Sequence, residues 1–368
     1  MNYNPIRNKY CKIEKYIPPT TLQTNDKRLH LNENLFGPSK SCIEALKSIE
    51  ANDLCMYDLT ASDDLIQTIS NKLGLDADKI LVHSGSAEMI KCIFNLLFSS
   101  SKKSLLVPSQ SWKYYKSLAN CNFAVINTFD ILEDEINYTF AYSSSIINKR
   151  AKETSADLIV LTSPNMPTGN LLSSDELISV LTENPSSVIM VDEAYWGYSM
   201  NNDVDVKRLV AEFDNLIIVR TFSKFFGLAN ERVGYCYCNN TWKCAIESVM
   251  PLFKISYTSR VTAIAALNDL EYYYEVRDRT IQIRNKFIDK LNTIRGVIAY
   301  KSEANFVYLR IESDNNDKIL MELKNKGYII REFKCYNDIY RTNIIYIRIT
   351  ISKEEYMNEI VQTIHENI

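Results

Sequence analysis

Up to residue 238, the chain alternates short apolar runs, rich in β-branched residues, with segments of helical periodicity. Apolar runs of this length are typical of buried strands, and strands that alternate with helices favour βα units and a mostly parallel sheet. We therefore expect an α/β fold whose large domain contains a mostly parallel seven-stranded sheet flanked by helices. The predicted strands lie near 80–83, 104–107, 123–127, 158–162, 187–192, 215–220 and 233–238.

The sequence changes in character on both sides of this region. Consecutive prolines at Pro18 and Pro19 resist regular structure, which indicates an N-terminal arm. After residue 250 the pattern predicts one long charged helix across 263–294 and then strands near 304–311 and 344–351 with a helix between them. We therefore expect a smaller α+β C-terminal domain. The predicted division is an arm at 1–30, a large domain at 31–250 and a small domain at 251–368.

Polar side chains follow three of the predicted strands where the strands end. Asn165, Asp192 and Lys224 each come directly after, or at the end of, an apolar run. Ligands of open α/β sheets bind at the carboxyl ends of the parallel strands. The spacing therefore predicts that these three side chains face one site.

The segment around Lys224 carries the most specific chemistry. A lysine that ends an apolar strand is costly to bury unless it has a partner or a function. Thr221, Ser223 and Arg232 supply two hydroxyls and a guanidinium, which suit a phosphate-sized anion. A reactive amine beside such a pocket is what a pyridoxal 5′-phosphate enzyme requires, with Lys224 forming the Schiff base. The alternative is a surface lysine at an ordinary strand end.

Two further segments support this interpretation. Asp192 would keep the cofactor's pyridine nitrogen protonated, because a nearby negative charge favours the cation, and Tyr195 would donate to the ring's phenolic oxygen. Asp192 could also cap a helix. Gly85 and Ser86 begin a segment of helical periodicity, and backbone amides at a helix start can bind a phosphate.

Together these segments resemble the fold-type-I pyridoxal phosphate enzymes of the class I/II aminotransferase superfamily, and most of all its histidinol-phosphate aminotransferase branch. Residues 31–39, Leu-Asn-Glu-Asn-Leu-Phe-Gly-Pro-Ser, are similar to the Asn-Glu-Asn-Pro-Tyr-Gly-Pro-Ser signature of that branch. The resemblance covers roughly residues 28–360. It implies pyridoxal 5′-phosphate as cofactor, an amino acid and a keto acid as substrates, and a homodimer with shared active sites.

The resemblance also implies roles for single positions. Arg348 matches the arginine that clamps the substrate's α-carboxylate, where a bidentate fork suits the two oxygens. Arg331 matches a second arginine that binds a distal phosphate, and Tyr57 matches the tyrosine that reaches the partner subunit's cofactor phosphate. Trp112 matches the aromatic residue that stacks on the pyridine ring. The remaining matched positions are Asn34, expected at the substrate, and Ala87, expected at the phosphate.

The chain departs from the family pattern close to the cofactor. Met166 stands where the family has an asparagine that donates to the phenolic oxygen, and a thioether cannot donate. Asn165 is the candidate replacement for that donor. Glu231 places a carboxylate beside the phosphate-binding Arg232, and Ala87 replaces an aspartate.

These departures leave alternatives to transamination open. One is elimination with cyclisation, or oxidation, of an arginine-type amino acid, in which His30 and Glu14 of the arm would act as catalytic groups. A packed or surface histidine and a solvated glutamate are the simpler interpretation of these two residues. A phosphate-amino-acid decarboxylase is a third enzymatic option. A pyridoxal phosphate-binding regulator or inactive scaffold is disfavoured, since about 30 residues precede the signature and the catalytic residue types are present.

Composition excludes several other classes. The net charge of −3 offers no electrostatic case for nucleic acid or an anionic membrane surface. No apolar run reaches the roughly 18 residues of a membrane-spanning helix. The nine cysteines include no Cys-x-x-Cys and the three histidines lack metal-ligand spacing. We therefore expect a cytoplasmic protein with free thiols and without a structural metal.

Overall fold

A computed structural model describes residues 26–57, 59–60, 62–99, 103–333 and 343–368. Its strands are β1 (Lys27–Arg28), β2 (Ile80–His83), β3 (Ser104–Pro108), β4 (Val125–Phe129), β5 (Leu132–Asp134), β6 (Thr139–Ala141), β7 (Leu158–Thr162), β8 (Val188–Asp192), β9 (Leu216–Thr221), β10 (Gly234–Cys238), β11 (Val297–Ala299), β12 (Phe306–Glu312), β13 (Tyr328–Ile329), β14 (Arg331–Phe333) and β15 (Ile344–Thr350).

The α-helices of these residues fill the segments between the strands. They are α1 (Lys40–Lys47), α2 (Ala51–Cys55), α3 (Asp63–Leu73), α4 (Ser86–Leu97), α5 (Lys113–Cys121), α6 (Ser144–Thr154), α7 (Ser174–Glu183), α8 (Val206–Glu212), α9 (Asn240–Ser248), α10 (Tyr257–Asn268), α11 (Leu270–Leu291), α12 (Asn316–Asn325) and α13 (Glu354–Asn367).

Seven strands form the large sheet in the order β2-β10-β9-β8-β7-β3-β4. The pairs from β9 to β4 are parallel, whereas β10 runs antiparallel to both of its neighbours. The central strands are buried along their whole length, which explains their continuous apolar sequences. The predicted α/β fold with a mostly parallel seven-stranded sheet is confirmed.

Helices pack on both faces of this sheet and produce two apolar cores. One core contains alternate residues such as Ile189, Val191 and Ile218, and the other contains Met190 and Val219. This division follows from the two-residue period of a strand, which sends successive side chains to opposite faces. Because both faces of the sheet are packed, the carboxyl ends of its strands are held in fixed positions relative to one another.

A four-stranded antiparallel sheet, in the order β11-β12-β15-β14, packs against α11, α12 and α13 in a third core. The single helix predicted across 263–294 is two helices, α10 and α11, which meet at Asp269. The α11 residue Tyr273 belongs to a core of the large sheet, whereas Phe287 of the same helix belongs to the third core. The domain boundary at residue 250 stays a prediction.

Residues 27–34, here called the strap, connect the two sheets. β1 pairs with β13, and Leu29 is buried in the third core. The strap then continues to the carboxyl edge of the large sheet, where the Leu31 carbonyl accepts a hydrogen bond from Lys224. The strap therefore lies beside the predicted site.

Within the described ranges, no helix combines the length and apolar character needed to cross a bilayer. The same part of the chain contains no group of three or more histidine, cysteine, aspartate or glutamate side chains that could hold a metal ion.

Candidate active site

The carboxyl ends of three neighbouring strands bring the predicted polar residues together. β7, β8 and β9 lie side by side, and Thr162, Asp192 and Val219 are aligned across them. Asn165 follows β7, Asp192 ends β8, and Lys224 follows β9. The arrangement therefore agrees with the one expected for a site at this edge.

Lys224 is held in an environment that favours its neutral amine. Its Nζ atom donates to the Leu31 carbonyl at 2.6 Å. Burial lowers the pKa of Lys224 to about 8, with Arg348 and Arg232 acting in the same direction and Glu33 and Asp192 against it. A larger fraction of this amine is neutral near neutral pH than for an ordinary lysine, which suits a nucleophile or a base.

A cluster of hydrogen-bond donors lies next to Lys224. Gly234 of β10 is aligned with both His83 of β2 and Thr221 of β9, so the loop after β2 and the loop after β9 meet. Arg232 donates to the Ser223 hydroxyl at 3.1 Å, and the Thr221 and Ser223 hydroxyls are 2.9 Å apart. The antiparallel β10 therefore joins the Gly85-Ser86 helix start to the hydroxyls predicted from the β9 segment.

Two glycines allow the parts of this cluster to approach closely. A Cβ atom on Gly85, whose φ is +85°, would lie 2.5 Å from Arg232, and a Cβ atom on Gly234 would lie 2.4 Å from the Ser86 amide. Ser86 and Ala87 begin α4, and the first amides of a helix have no partner within the helix. Helix-start amides, hydroxyls and a guanidinium that meet at one point are the donor set that fits a phosphate monoester.

Asp192 is a buried carboxylate with two donors. The Tyr115 hydroxyl donates to Oδ2 at 2.6 Å, and the Ala194 amide donates to Oδ1 at 3.0 Å. Burial raises the pKa of Asp192 to about 6, although both hydrogen bonds act in the opposite direction. The bond to Ala194 shows that Asp192 also stabilises the turn after β8.

Tyr115 was not predicted as a site residue. It is fully buried in α5, and burial followed by the nearby Asp192 raises the pKa of its hydroxyl well above the ordinary value. The only signal in the sequence was its position three residues after Trp112. Trp112 precedes α5 and packs against Tyr115 at 5.6 Å between ring centroids, so its place at the cofactor ring stays a prediction.

Tyr195 lies in a network that the sequence did not indicate. The side-chain amide of Asn32 donates to the Tyr195 hydroxyl at 2.9 Å. The Tyr195 ring packs edge-on against Phe306 at 5.0 Å. Asn32 therefore contacts a predicted cofactor ligand from 163 residues away.

Asn165 uses its amide within the protein. Its Nδ2 atom donates to the Gln110 carbonyl at 3.1 Å and to the Thr168 hydroxyl at 2.6 Å. Its Oδ1 atom accepts from Thr162. Both amide hydrogens are engaged, so donation to a cofactor would require one of these bonds to break.

The two predicted substrate arginines lie directly opposite each other. Arg331 of β14 is aligned with Arg348 of β15 in an antiparallel pair. Side chains so aligned share one face of the sheet, and like charges there repel. Arg348 is buried and donates to the His30 carbonyl at 2.5 Å. An anion bound on this face would relieve the repulsion.

His30 is 1% exposed, and neither ring nitrogen has a hydrogen-bond partner among the residues that the structure describes. Burial lowers the pKa of His30, and Arg28, Arg348 and Arg331 act in the same direction. These effects favour the neutral imidazole over its cation, and only the backbone of Ile329 acts against them. The buried ring therefore lies beside three guanidiniums with unsatisfied nitrogens, and its catalytic role stays a prediction.

Three other predicted positions behave differently. Asn34 is buried, donates to the Phe225 carbonyl at 2.9 Å and accepts from the Phe36 amide at 3.1 Å, so it anchors the loop after Lys224. Tyr57 is 75% exposed and stacks on Phe253 at 4.2 Å. Glu14 lies outside the described residues.

Comparison with known proteins gives a family for this geometry. The family model described as aminotransferase class I and II matches residues 26–364. Histidinol-phosphate aminotransferase 2 from Archaeoglobus fulgidus is 34% identical over 339 residues, which are 92% of this chain and 92% of that protein.

Solved structures share the fold. Histidinol-phosphate aminotransferase from Sinorhizobium meliloti in complex with pyridoxal-5′-phosphate is similar with a TM-score of 0.80 and 21% identity, covering 92% of this chain and 90% of that chain. L-threonine-O-3-phosphate decarboxylase from Porphyromonas gingivalis gives a TM-score of 0.77 and 18% identity, covering 92% and 98%.

The resemblance inferred from the motifs is confirmed by the family match and by these relatives. The donor cluster, the buried carboxylate and the amine of lowered pKa fit the cofactor that this family uses. Because the match spans nearly all of the described chain, this protein belongs to the aminotransferase class I and II family and is a pyridoxal 5′-phosphate-dependent transferase.

Proposed function

We propose that this transferase moves the amino group of an amino acid or amino-alcohol that carries an anionic tail to a keto acid. The observation that carries the proposal is the position of Lys224, whose amine has a lowered pKa and lies between a phosphate-type donor cluster and the buried Asp192. When bound, pyridoxal phosphate supplies an electron sink for the charge that develops on the substrate's α-carbon.

The chain's own residues divide the remaining work. Lys224 would hold the cofactor covalently, and its released amine would take the α-proton and later return a proton. Asp192, stabilised in its charged form by Tyr115, would hold a proton on the cofactor's ring nitrogen. Tyr195 would donate to the ring oxygen.

The phosphate end of the cofactor would be held by the donor cluster. Its proposed members are Gly85, Ser86, Ala87, Thr221, Ser223 and Arg232. Trp112 would stack on the cofactor ring. Asn165 would lie close to the ring as the neighbour of Met166.

Arg348 and Arg331 support an anionic substrate. Arg348 would clamp a carboxylate where the substrate carries one, and Arg331, aligned with it across β14 and β15, would bind the distal anion. His30 lies beside both guanidiniums and would donate to the same anion as a neutral imidazole. The relatives named above for histidinol phosphate and threonine phosphate are consistent with a phosphate tail.

A single-turnover assay without keto acid tests this function. L-histidinol phosphate, L-threonine O-3-phosphate and L-arginine are each added to the holoenzyme, and the product is identified by mass spectrometry. We expect amino transfer to stop after one equivalent, and Lys224→Ala to abolish it. Continuous release of CO₂ would instead identify a decarboxylase, and continuous turnover of arginine would identify the oxidation or cyclisation chemistry.

We further propose a cytoplasmic homodimer. Tyr57 and Phe253 stack on each other at an exposed apolar surface, which a partner subunit would cover. The exposed apolar side chains on this dimer surface are Leu54, Met56, Tyr57, Leu59, Leu252 and Phe253. In such a dimer, Tyr57 would reach the phosphate of the partner's cofactor.

A further inference from the structure

The hydroxyl of Tyr195 is oriented by a residue of the strap. Asn32 donates its Nδ2 hydrogen to the Tyr195 oxygen at 2.9 Å, and both side chains are at least nine-tenths buried. Since the phenolic oxygen accepts from Asn32, the proton of Tyr195 points away from the Asn32 amide.

The orientation of the Asn32 amide is itself fixed. The backbone amide of Asn32 donates to the Thr350 hydroxyl at 3.1 Å, and the Oδ1 atom lies 3.2 Å from the same hydroxyl. The Thr350 hydroxyl also donates to the Leu29 carbonyl at 2.9 Å, and the assignment with Oδ1 toward Thr350 places the Nδ2 end at Tyr195. Asn32 has a φ of +53°, a left-handed conformation that asparagine tolerates better than most residues. Asn305 donates to the Asn32 carbonyl at 3.1 Å, which holds the backbone in place.

The loop after β7 holds the family position of a second amide donor to the ring oxygen, and its two candidate residues do not supply that donor here. Met166 carries a thioether, which cannot donate. The neighbouring Asn165 has committed both amide hydrogens to Gln110 and Thr168. Asn32, by contrast, donates to Tyr195 and can thereby strengthen it as a donor.

We propose that Asn32 is a positioning residue, which holds the Tyr195 hydroxyl so that it donates to the ring oxygen of pyridoxal phosphate and thereby compensates for Met166. This inference rests on the proposed role of Tyr195. Hydrogen bonds in a chain polarise one another, so donation by Asn32 makes Tyr195 a stronger donor. A stronger donor disperses the negative charge on the ring oxygen, which then holds the proton on the Lys224 nitrogen less tightly.

The test is a pH titration of the visible absorbance of the bound cofactor, in holoenzyme without substrate. Asn32→Asp keeps the shape of the side chain but can only accept, so the Tyr195 hydroxyl would turn toward it. We expect the midpoint to rise by about one pH unit, the size of one lost neutral hydrogen bond. Asn32→Gly, which tolerates the positive φ and adds no charge, should raise the midpoint in the same direction.

Tyr195→Phe separates this mechanism from the effect of a new charge. We expect Tyr195→Phe to raise the midpoint at least as much as Asn32→Asp, and Asn32→Asp to add nothing in the Tyr195→Phe background. An equal shift by Asn32→Asp in both backgrounds would overturn the proposal, as would an unchanged midpoint in Asn32→Gly. Asn148→Asp, a buried asparagine between α6 and α7, is the matched control and should leave the midpoint unchanged.

The midpoint is measured without substrate, so it does not depend on which reaction the enzyme performs. A wild-type protein that shows decarboxylation would contradict the proposed transamination and leave the expected midpoint shifts unaltered. A wild-type protein that binds pyridoxal phosphate but whose midpoint is insensitive to Tyr195→Phe would overturn this inference alone.

Discussion

At the scale of single residues, the site depends on side chains whose ordinary protonation is altered by burial. Lys224 has a folded-state pKa of about 8 against an ordinary value of 10.5. The folded protein therefore binds fewer protons than the unfolded chain between these two values. By linkage, the stability penalty of burying Lys224 is complete below about pH 8 and disappears as the pH rises through 10.5.

In cofactor-free protein, the burial of charged Lys224 should therefore reduce stability at neutral pH. Lys224→Met should be more stable than the wild type at pH 7, by about 1–3 kcal/mol, and the difference should vanish toward high pH. Denaturant unfolding at several pH values measures it. Lys149→Met, at a side chain that is 77% exposed, is the control and should show no such trend. A difference that is constant with pH would contradict the lowered pKa.

Tyr115 gives a second prediction at this scale. Its hydrogen bond lowers the pKa of Asp192, so Tyr115→Phe should raise that pKa and leave less carboxylate at low pH. We expect the acid limb of kcat/KM to move up by about one pH unit. Tyr142→Phe removes a comparable buried hydroxyl that donates to the Thr162 carbonyl, and should leave the acid limb in place. Equal profiles for the two variants would mean that Tyr115 acts only in packing.

At the scale of elements, the start of α4 must approach Arg232 closely. Gly85→Ala should weaken cofactor binding more than tenfold, because the added Cβ would lie 2.5 Å from the guanidinium. Gly74→Ala is a matched control, since Gly74 has a φ of +70° with nothing within 4 Å. Gly74→Ala costs about 1 kcal/mol of strain in the left-handed region, and Gly85→Ala costs more, about 1–3 kcal/mol, because φ +85° with ψ 156° is open almost only to glycine. Gly85→Ala alone should lose affinity in equilibrium dialysis. Similar losses in both would implicate strain rather than the collision.

The β14–β15 pair provides another test at this scale. Arg331→Gln should lower kcat/KM for a phosphate-tailed substrate by roughly ten- to a hundredfold, since one charge-assisted hydrogen bond is lost. It should also raise the stability of the substrate-free enzyme by a few tenths of a kcal/mol, because Arg348 no longer faces a like charge. Arg295→Gln, at an exposed arginine, is the control. Unchanged kinetics would place the anion elsewhere.

At the scale of the whole molecule, the dimer surface predicts assembly. Leu59 and Leu252 are 85% and 84% exposed, which is unusual for leucines that lie close to a stacked Tyr57–Phe253 pair. Leu59→Glu combined with Leu252→Glu should yield monomers in analytical ultracentrifugation and weaken cofactor binding. Ile136→Glu changes an equally exposed apolar residue on the β5–β6 hairpin and should leave the dimer intact. Monomeric wild-type protein would exclude the assembly.

Features that depend on local sequence could be predicted more accurately than features that depend on distant contacts. The seven strands of the large sheet, with β12 and β15, were predicted to within two residues because apolar β-branched runs specify buried strands locally. The shorter strands β1, β5, β6, β11, β13 and β14 were not predicted. The prediction of one long helix across 263–294 was wrong, since two helices meet at Asp269. Arg284 belongs to this charged segment, yet it is buried and donates to the Ala304 carbonyl at 2.9 Å. The charge of Arg284 could not indicate that the Ala304 carbonyl, 20 residues away, would accept a hydrogen bond from it.

The sequence by itself determined the family and the sheet, and it singled out Lys224, Asp192 and Arg232 as candidate site residues, since each depends on residue types at short spacing next to a strand end. Only the tertiary structure decided that Tyr115 bonds Asp192 across 77 residues and that Asn32 bonds Tyr195 across 163. It also aligned Arg331 with Arg348. These partners meet because packed elements bring distant segments together, and periodicity within a segment contains no information about which distant side chain will lie opposite it.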